Sequence, residues 1–215
     1  MCTFQPGSLS FTLLACTSSQ LSGPSWAGAF PDRKSVSDLA PAFGKDVTAF
    51  MGAMKHAGIT VRTLSTARPP ERAYLMHYSW LVAKRRLSPL KVPNFAGSKK
   101  HPPVAICWVH ATAHGAGKAE SIAAAGKLAA ALGVASMGSA PELTSPLTQG
   151  QAIVMSTTWS GRKITIKDAS GHSVVIRSGP RNGLNAKLIA VGATYGVIHF
   201  RPASKAVNDW SVNGQ

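Results

Sequence analysis

The most metal-like spacing in this sequence is Cys107-x-x-His110-x-x-x-His114. Thiolate and imidazole groups are good zinc ligands, and two His residues four positions apart share one face of a helix. Glycines follow this run and disfavour a helix, and Ala111 stands where the His-Glu-x-x-His motif of metallopeptidases carries its general base. The pattern therefore favours a His at the end of a strand, followed by a loop, over a zinc site.

Other sequence motifs of catalysis are missing. The chain contains no Gly-x-Ser-x-Gly elbow, so a Ser-His-Asp triad has no local signature. It contains no Walker motif and no dinucleotide-binding glycine motif either. The sequence motifs by themselves thus leave the reaction class open.

The charge is strongly positive, with 23 Lys and Arg against 8 Asp and Glu, a net charge of +15. Such a surface attracts nucleic acid, anionic lipid or an acidic cell-wall polymer, and composition does not choose among them. No acid lies between Glu71 and Glu120, so the Lys and Arg residues of that stretch are expected to form a positive face. Phe95 is the only aromatic residue in the Lys- and Arg-rich segment 84–100, which disfavours a stacking platform for single strands.

Length and composition indicate one globular domain. The chain has 215 residues, of which 45% are hydrophobic, and no apolar run long enough to span a membrane. Residues 1–30 are expected to be an N-terminal extension or a weak signal-like segment, because no Lys or Arg precedes the short apolar stretch before Cys16. The three cysteines, Cys2, Cys16 and Cys107, are too few and too scattered for a disulfide framework.

The remaining domain, residues 31–215, alternates helices and strands. Apolar residues from Leu39 to Met54 recur at spacings of three and four, which predicts a helix capped by Ser35 or Ser37 and ended by Gly58. Pro69 and Pro70 can open a second helix. Further helices are predicted over 120–132 and 185–193, and strands over 59–65, 104–110, 151–158, 163–167, 173–177 and 195–200.

Several runs resemble the VanY-like D-alanyl-D-alanine carboxypeptidases, zinc enzymes that cut peptidoglycan stem peptides, and in particular a phage and proteobacterial branch of them. Ser65-Thr-Ala-Arg68 resembles their Ser-x-x-Arg motif. The other matching runs are Arg68 to His77, Trp108 to His110, Trp159 to Gly161 and Val191 to Ile198. The resemblance extends from about Pro31 to Gly214 and implies a single α+β domain with a small antiparallel sheet flanked by helices.

The resemblance also implies where zinc would be held. The family's Ser-x-His-x-x-x-x-Ala-x-Asp segment corresponds to residues 145–154, which places its His at Leu147 and its Asp at Val154. The third ligand position is Asp209 and the general-base position is Ala206. Leu and Val offer no lone pair, and a catalytic zinc needs about three protein ligands and an open position. We therefore expect no cofactor and no ordinary metallopeptidase activity.

The resemblance assigns the substrate's carboxylate to Arg68, because a guanidinium can bind it through two parallel hydrogen bonds. Tyr74, His77, Trp108 and Trp210 are candidates to line the same groove, although packing in the core is an equal alternative for such aromatic residues. A rebuilt zinc site from His110, His114, His199 and Asp209 is the remaining way to hold metal.

The expected function is that of a catalytically degenerate peptidoglycan-peptidase-like protein that binds cell-wall peptide or another anionic ligand. An active zinc peptidase with relocated ligands is one alternative, and a basic nucleic-acid-binding or interaction module is the other. The resemblance suggests the periplasm or cell envelope.

Overall fold

The computed structural model describes residues 16–112, 115–201 and 207–215. The fold is α+β, as predicted, with a small antiparallel sheet flanked by helices. The helices are α1 (Pro41–His56), α2 (Pro70–Ala83), α3 (Lys118–Ala131) and α4 (Ala186–Thr194). The strands are β1 (Thr60–Ser65), β2 (His110–Thr112), β3 (Gly115–Gly117), β4 (Ala152–Thr158), β5 (Ile164–Lys167), β6 (Ser173–Ile176), β7 (Ile198–His199) and β8 (Asp209–Ser211).

The main sheet has the strand order β1-β4-β8-β7, and every neighbouring pair is antiparallel. The register of β1 on β4 shifts between Thr63 and Ser65, which brings Ser65 opposite Val154. Val154 in turn lies opposite Asp209 of β8. β2 pairs with β3, and β5 pairs with β6 in the predicted hairpin.

One hydrophobic core packs α1 and α4 on the main sheet and the β5–β6 hairpin. The predicted apolar face of α1 is confirmed, since Phe43, Val47, Phe50 and Met54 are buried in it. The predicted cap is displaced. Ser35 caps a separate 3-10 turn, Val36–Asp38, and α1 begins at Pro41, whose fixed φ angle suits the first turn of a helix.

A second core packs α2 against α3 and the chain between residues 104 and 108. The predicted strand over 104–110 is wrong. Val104 bridges only Phe95, and Cys107 bridges only Leu21. The loop around Phe95 and the N-terminal segment around Leu21 each pair with this segment at one residue, so no ladder forms.

The N-terminal segment 16–30 belongs to this second core, so packed structure begins before the expected boundary at residue 31. Cys16 and Cys107 form a disulfide, which the sequence did not predict. The indole of Trp26 packs on the second core, and Arg72 Nη1 donates a hydrogen bond of 2.9 Å to the Ala27 carbonyl. The Cys16 sulfur is occupied by Cys107, while the apolar stretch before it lies outside the described residues.

The C-terminal strands also differ from the prediction. The strand expected over 195–200 is reduced to β7, because Gly196 adopts a φ of 77° just after α4. β8 was not predicted, and it inserts between β4 and β7. None of the helices within the described residues is long and apolar enough to cross a bilayer.

Candidate anion-binding cleft

Arg68, Leu147, Val154 and Asp209, the four described positions that the resemblance singles out, come together near the C-terminal end of β1. Ser65, Val154 and Asp209 form one row across β1, β4 and β8, and residues directly opposite each other project from the same face of a sheet. Just after β1, the Arg68 backbone N–H donates a hydrogen bond of 3.0 Å to the Leu147 carbonyl. Arg68, Leu147, Val154 and Asp209 are therefore neighbours, although they are up to 141 positions apart (209 − 68).

This donor set does not fit a catalytic zinc. Leu147 and Val154 have hydrocarbon side chains, so the Asp209 carboxylate is the one group among the three positions that could coordinate a metal. Ala206, the general-base position, lies outside the described residues. No zinc-dependent step can be derived for these residues.

Asp209 is half-buried between two groups that can carry positive charge. Burial raises the pKa of its carboxyl above the ordinary value, and the charges of His199 and Arg68 lower it again only in part. The net direction is upward, so the fold disfavours the carboxylate form of Asp209 relative to water.

His199 is buried, and both of its ring nitrogens face backbone carbonyls. Nδ1 lies 3.0 Å from the Phe200 oxygen and Nε2 lies 3.2 Å from the Val207 oxygen. The ring stands edge-on to the Trp210 indole at a centroid distance of 4.6 Å. Neither nitrogen is directed toward Asp209 as a metal ligand would be.

The other residues proposed for a rebuilt zinc site lie elsewhere. His110 Nε2 is 3.0 Å from the Ser22 hydroxyl, in the second core. His114 lies outside the described residues. Across residues 16–112, 115–201 and 207–215, no three His, Cys, Asp or Glu side chains are grouped as a metal site would require.

A cleft of about 280 Å³ opens beside Arg68. Its polar walls are Arg33, Arg68, Lys100, His101 and Thr148, and Pro69 and Pro70 at the start of α2 complete it. Four of these side chains are cations or an imidazole, so the cleft suits an anionic group.

Arg68 is held in place by Asp32. The Asp32 Oδ1 atom lies 3.4 Å from Arg68 Nε and 3.3 Å from Arg72 Nε. Arg72 also uses Nη1 to bond the Ala27 carbonyl, whereas the Arg68 side chain forms no hydrogen bond within the described residues. Arg68 thus lines the cleft with a guanidinium whose buried Nε is paired with Asp32 and whose Nη atoms form no hydrogen bond within the described residues.

His101 is positioned by a second acid. Its Nδ1 lies 3.1 Å from Glu71 Oε1, and Glu71 is only 2% exposed. Glu71 stands in the first turn of α2, where the helix dipole stabilises a carboxylate. The pair holds the imidazole of His101, about a third of which is exposed, against the wall of the cleft.

The aromatic residues predicted to line the groove lie elsewhere. Trp108 Nε1 donates to the Tyr74 hydroxyl at 2.9 Å, and that hydroxyl donates to the Pro93 carbonyl at 2.9 Å. His77 Nδ1 lies 2.7 Å from the Pro141 carbonyl, and Trp210 is buried in the first core. Tyr74, His77 and Trp108 use their polar atoms in hydrogen bonds within the protein, Trp210 Nε1 is buried without a partner within the described residues, and none of the four residues borders the cleft.

Sequence reasoning missed Arg33, His101 and Thr148 as cleft residues, and Asp32 as the ion-pair partner of Arg68. Asp32 carried a usable signal, because an acid is rare in a chain of net charge +15 and is then expected to sit beside cations. His101 carried none, since its partner Glu71 is 30 positions away.

Comparisons of this chain with protein-family models, with curated proteins and with solved structures find no match.

Proposed function

We propose that this protein is a catalytically degenerate peptidoglycan-peptidase-like protein that binds the carboxylate end of a cell-wall peptide, or another anionic ligand, beside Arg68. The observation that carries the proposal is the Arg68 guanidinium itself. It pairs with Asp32, it lines the cleft, and it adjoins the row formed by Ser65, Val154 and Asp209.

The chemistry of the cleft supports a carboxylate ligand. A planar guanidinium can donate two parallel hydrogen bonds to a carboxylate, which gives geometric selectivity as well as attraction. Lys100 and Arg33 add positive charge around the same opening. The peptide backbone beyond the carboxylate would meet Leu147 and Val154, where the related enzymes hold zinc.

The Cys16–Cys107 disulfide supports a location outside the cytoplasm. Disulfides form and persist in oxidising compartments such as the periplasm. Cell-wall peptides are found in the same compartment, so the proposed ligand and the covalent structure agree.

The direct test is calorimetric binding of a soluble stem peptide that ends in D-Ala-D-Ala. Arg68→Ala should weaken binding by more than about tenfold, since a hydrogen-bonded charge pair is lost. Amidation of the peptide's C-terminus should weaken binding to a similar degree. Arg62→Ala, which removes an exposed Arg from β1, is the matched control and should leave affinity unchanged.

Equal binding by the Arg68→Ala variant or by the amidated peptide would refute the carboxylate assignment. Chelator-sensitive cleavage of muropeptides by the purified protein would refute the degenerate assignment. About one zinc per purified chain would favour the alternative of an active enzyme with relocated ligands.

The resemblance has a test of its own that does not depend on the ligand. The triple variant Leu147→His, Val154→Asp, Asp209→His restores the family's three ligands, two of which would face each other across β4 and β8. We expect it to bind about one equivalent of zinc. The double variant without Val154→Asp is the control and should bind zinc more weakly, whereas equal weak binding by both variants would argue against the alignment.

A further inference from the structure

A second cationic surface begins at the opposite end of α2 from Arg68, and it is here termed the basic loop. It comprises residues 84–91, which follow α2 and include the 3-10 turn Pro89–Lys91, together with the first turn of α3. Its five exposed cations are Lys84, Arg85, Arg86, Lys91 and Lys118, and the exposed Glu120 in the first turn of α3 is its one acid. None of them takes part in the ion pairs formed by the described residues.

Leu90 projects from the middle of this charge. Its 70% exposure is the largest of any large hydrophobic residue in the described part of the chain, where the next values are 42%. The neighbouring Pro89 is buried, so the turn is anchored while Leu90 points outward. A single exposed leucine is common in proteins. An apolar residue surrounded by cations, however, is typical of a segment that anchors at a membrane interface.

A cleft of about 530 Å³ lies beside Leu90 and has both polar and apolar walls. Leu87, Pro89 and Ile122 form its apolar part, and Arg85 and Lys118 supply its cations. The cleft also borders the start of α3, whose N-cap residue Gly117 provides no side-chain cap. A phosphate with attached hydrocarbon would match both kinds of wall.

Arg85 is held in an unusual backbone conformation. Its φ of 57° is in the left-handed region, and it is the only non-glycine residue there within the described residues. The residue that follows a helix in this conformation is usually glycine, which has no side chain to clash. Arginine at this position places a cation at the cleft, although its side chain does not favour the left-handed backbone conformation.

We propose that the basic loop docks this protein onto a membrane that contains anionic phospholipid. Leu90 enters the interfacial region, and the five cations contact lipid phosphates, with Arg85 and Lys118 around one headgroup. The observations favour lipid over nucleic acid. The partly buried Phe95 ring is engaged in packing on Tyr74 at 5.4 Å, and an exposed leucine adds nothing to a phosphate backbone contact.

The test is co-sedimentation of the full chain with phosphatidylcholine vesicles, with and without about 30% phosphatidylglycerol. Binding should require the anionic lipid. Leu90→Asp should reduce it by more than about tenfold, since it replaces the anchor by a charge of the wrong sign. Leu143→Asp, at an exposed leucine outside the loop, is the matched control and should bind like the unaltered protein.

Arg85→Gly separates a binding role from a structural one. It should lower vesicle binding about fivefold, as expected for one cation near an anionic surface, and should leave the melting temperature equal or higher because glycine relaxes in the left-handed region. Arg162→Gly, at an exposed loop Arg, should change neither quantity.

Equal binding to neutral and anionic vesicles, or vesicle binding that Leu90→Asp leaves intact, would overturn the proposal. Tight binding of duplex DNA without vesicle binding would overturn it in favour of a nucleic-acid surface. None of these outcomes depends on whether the Arg68 cleft binds a stem peptide.

Discussion

The Arg68 cleft and the basic loop are both cationic, but they differ in the acids that accompany them. At the cleft, Asp32 lies between Arg68 and Arg72, and the buried Glu71 holds His101. Asp38 pairs with Arg33, and Asp209 interacts with the charge of Arg68. The basic loop contains five cations and one acid, Glu120, and none of these residues takes part in the described ion pairs.

The difference separates two ways of binding an anion. Four of the chain's eight acids, Asp32, Asp38, Glu71 and Asp209, are gathered at the cleft, where they fix the donors and offset part of their charge. A cleft of this kind selects one anionic group by geometry. Exposed cations without such partners attract any anionic surface, and their attraction is sensitive to salt.

Removal of Asp32 should have the largest effect on stability. Asp32→Asn leaves the guanidinium groups of Arg68 and Arg72, each only about a fifth exposed, without their shared carboxylate. We expect the free energy of unfolding to fall by about 2 kcal/mol, below the value for a fully buried pair because of this exposure. Urea denaturation measures it.

Arg86→Gln in the basic loop is the control for this change and should stay within about 0.5 kcal/mol of the unaltered protein. Equal stability of the Asp32→Asn and Arg86→Gln variants would show that Asp32 does not organise the cleft.

Binding at the two regions should differ in its dependence on salt. Between about 0.05 M and about 0.5 M NaCl, vesicle binding through the basic loop should weaken by more than about tenfold, because exposed charges are screened. Stem-peptide binding at the cleft should weaken by less than about threefold, since its donors are partly buried and hydrogen-bond directly. If vesicle binding and stem-peptide binding depend equally on salt, the cleft does not differ from the basic loop in the way it binds anions.

The smallest expected effect is that of Asp209 on the pH dependence of the free energy of unfolding. Because burial raises the pKa of its carboxyl in the folded protein, the stabilising contribution of the protonated form is complete below the unfolded pKa and is lost as pH rises through the folded pKa. The Asp209→Asn variant should therefore have a higher free energy of unfolding than the unaltered protein at neutral pH. This gain should be smaller than the loss caused by Asp32→Asn.

This advantage of Asp209→Asn should shrink as the pH falls toward the ordinary value for Asp, about 3.9. Thermal unfolding across this pH range measures it, with Glu142→Gln at an exposed loop position as the control. A stability difference that grows toward low pH would contradict the direction of the shift.

The sequence by itself determined the features that depend on near neighbours. The buried face of α1, the start of α2 at Pro70 and the β5–β6 hairpin follow from apolar spacing, proline geometry and a turn within a few residues. Arg68 was also identified from a local run, and the structure places it on the wall of a cleft.

Only the tertiary structure decided which distant residues meet. Glu71 and His101 are 30 positions apart, Cys16 and Cys107 are 91 apart, and both contacts depend on the path of the intervening chain. The segment 104–110 reads as a strand by its composition, but only His110, the first residue of β2, lies in one, because the neighbours of residues 104–109 offer single bridges instead of a sheet edge. Local propensity restricts the conformation of each segment, whereas packing of the whole chain selects the partners that turn scattered charges into a cleft.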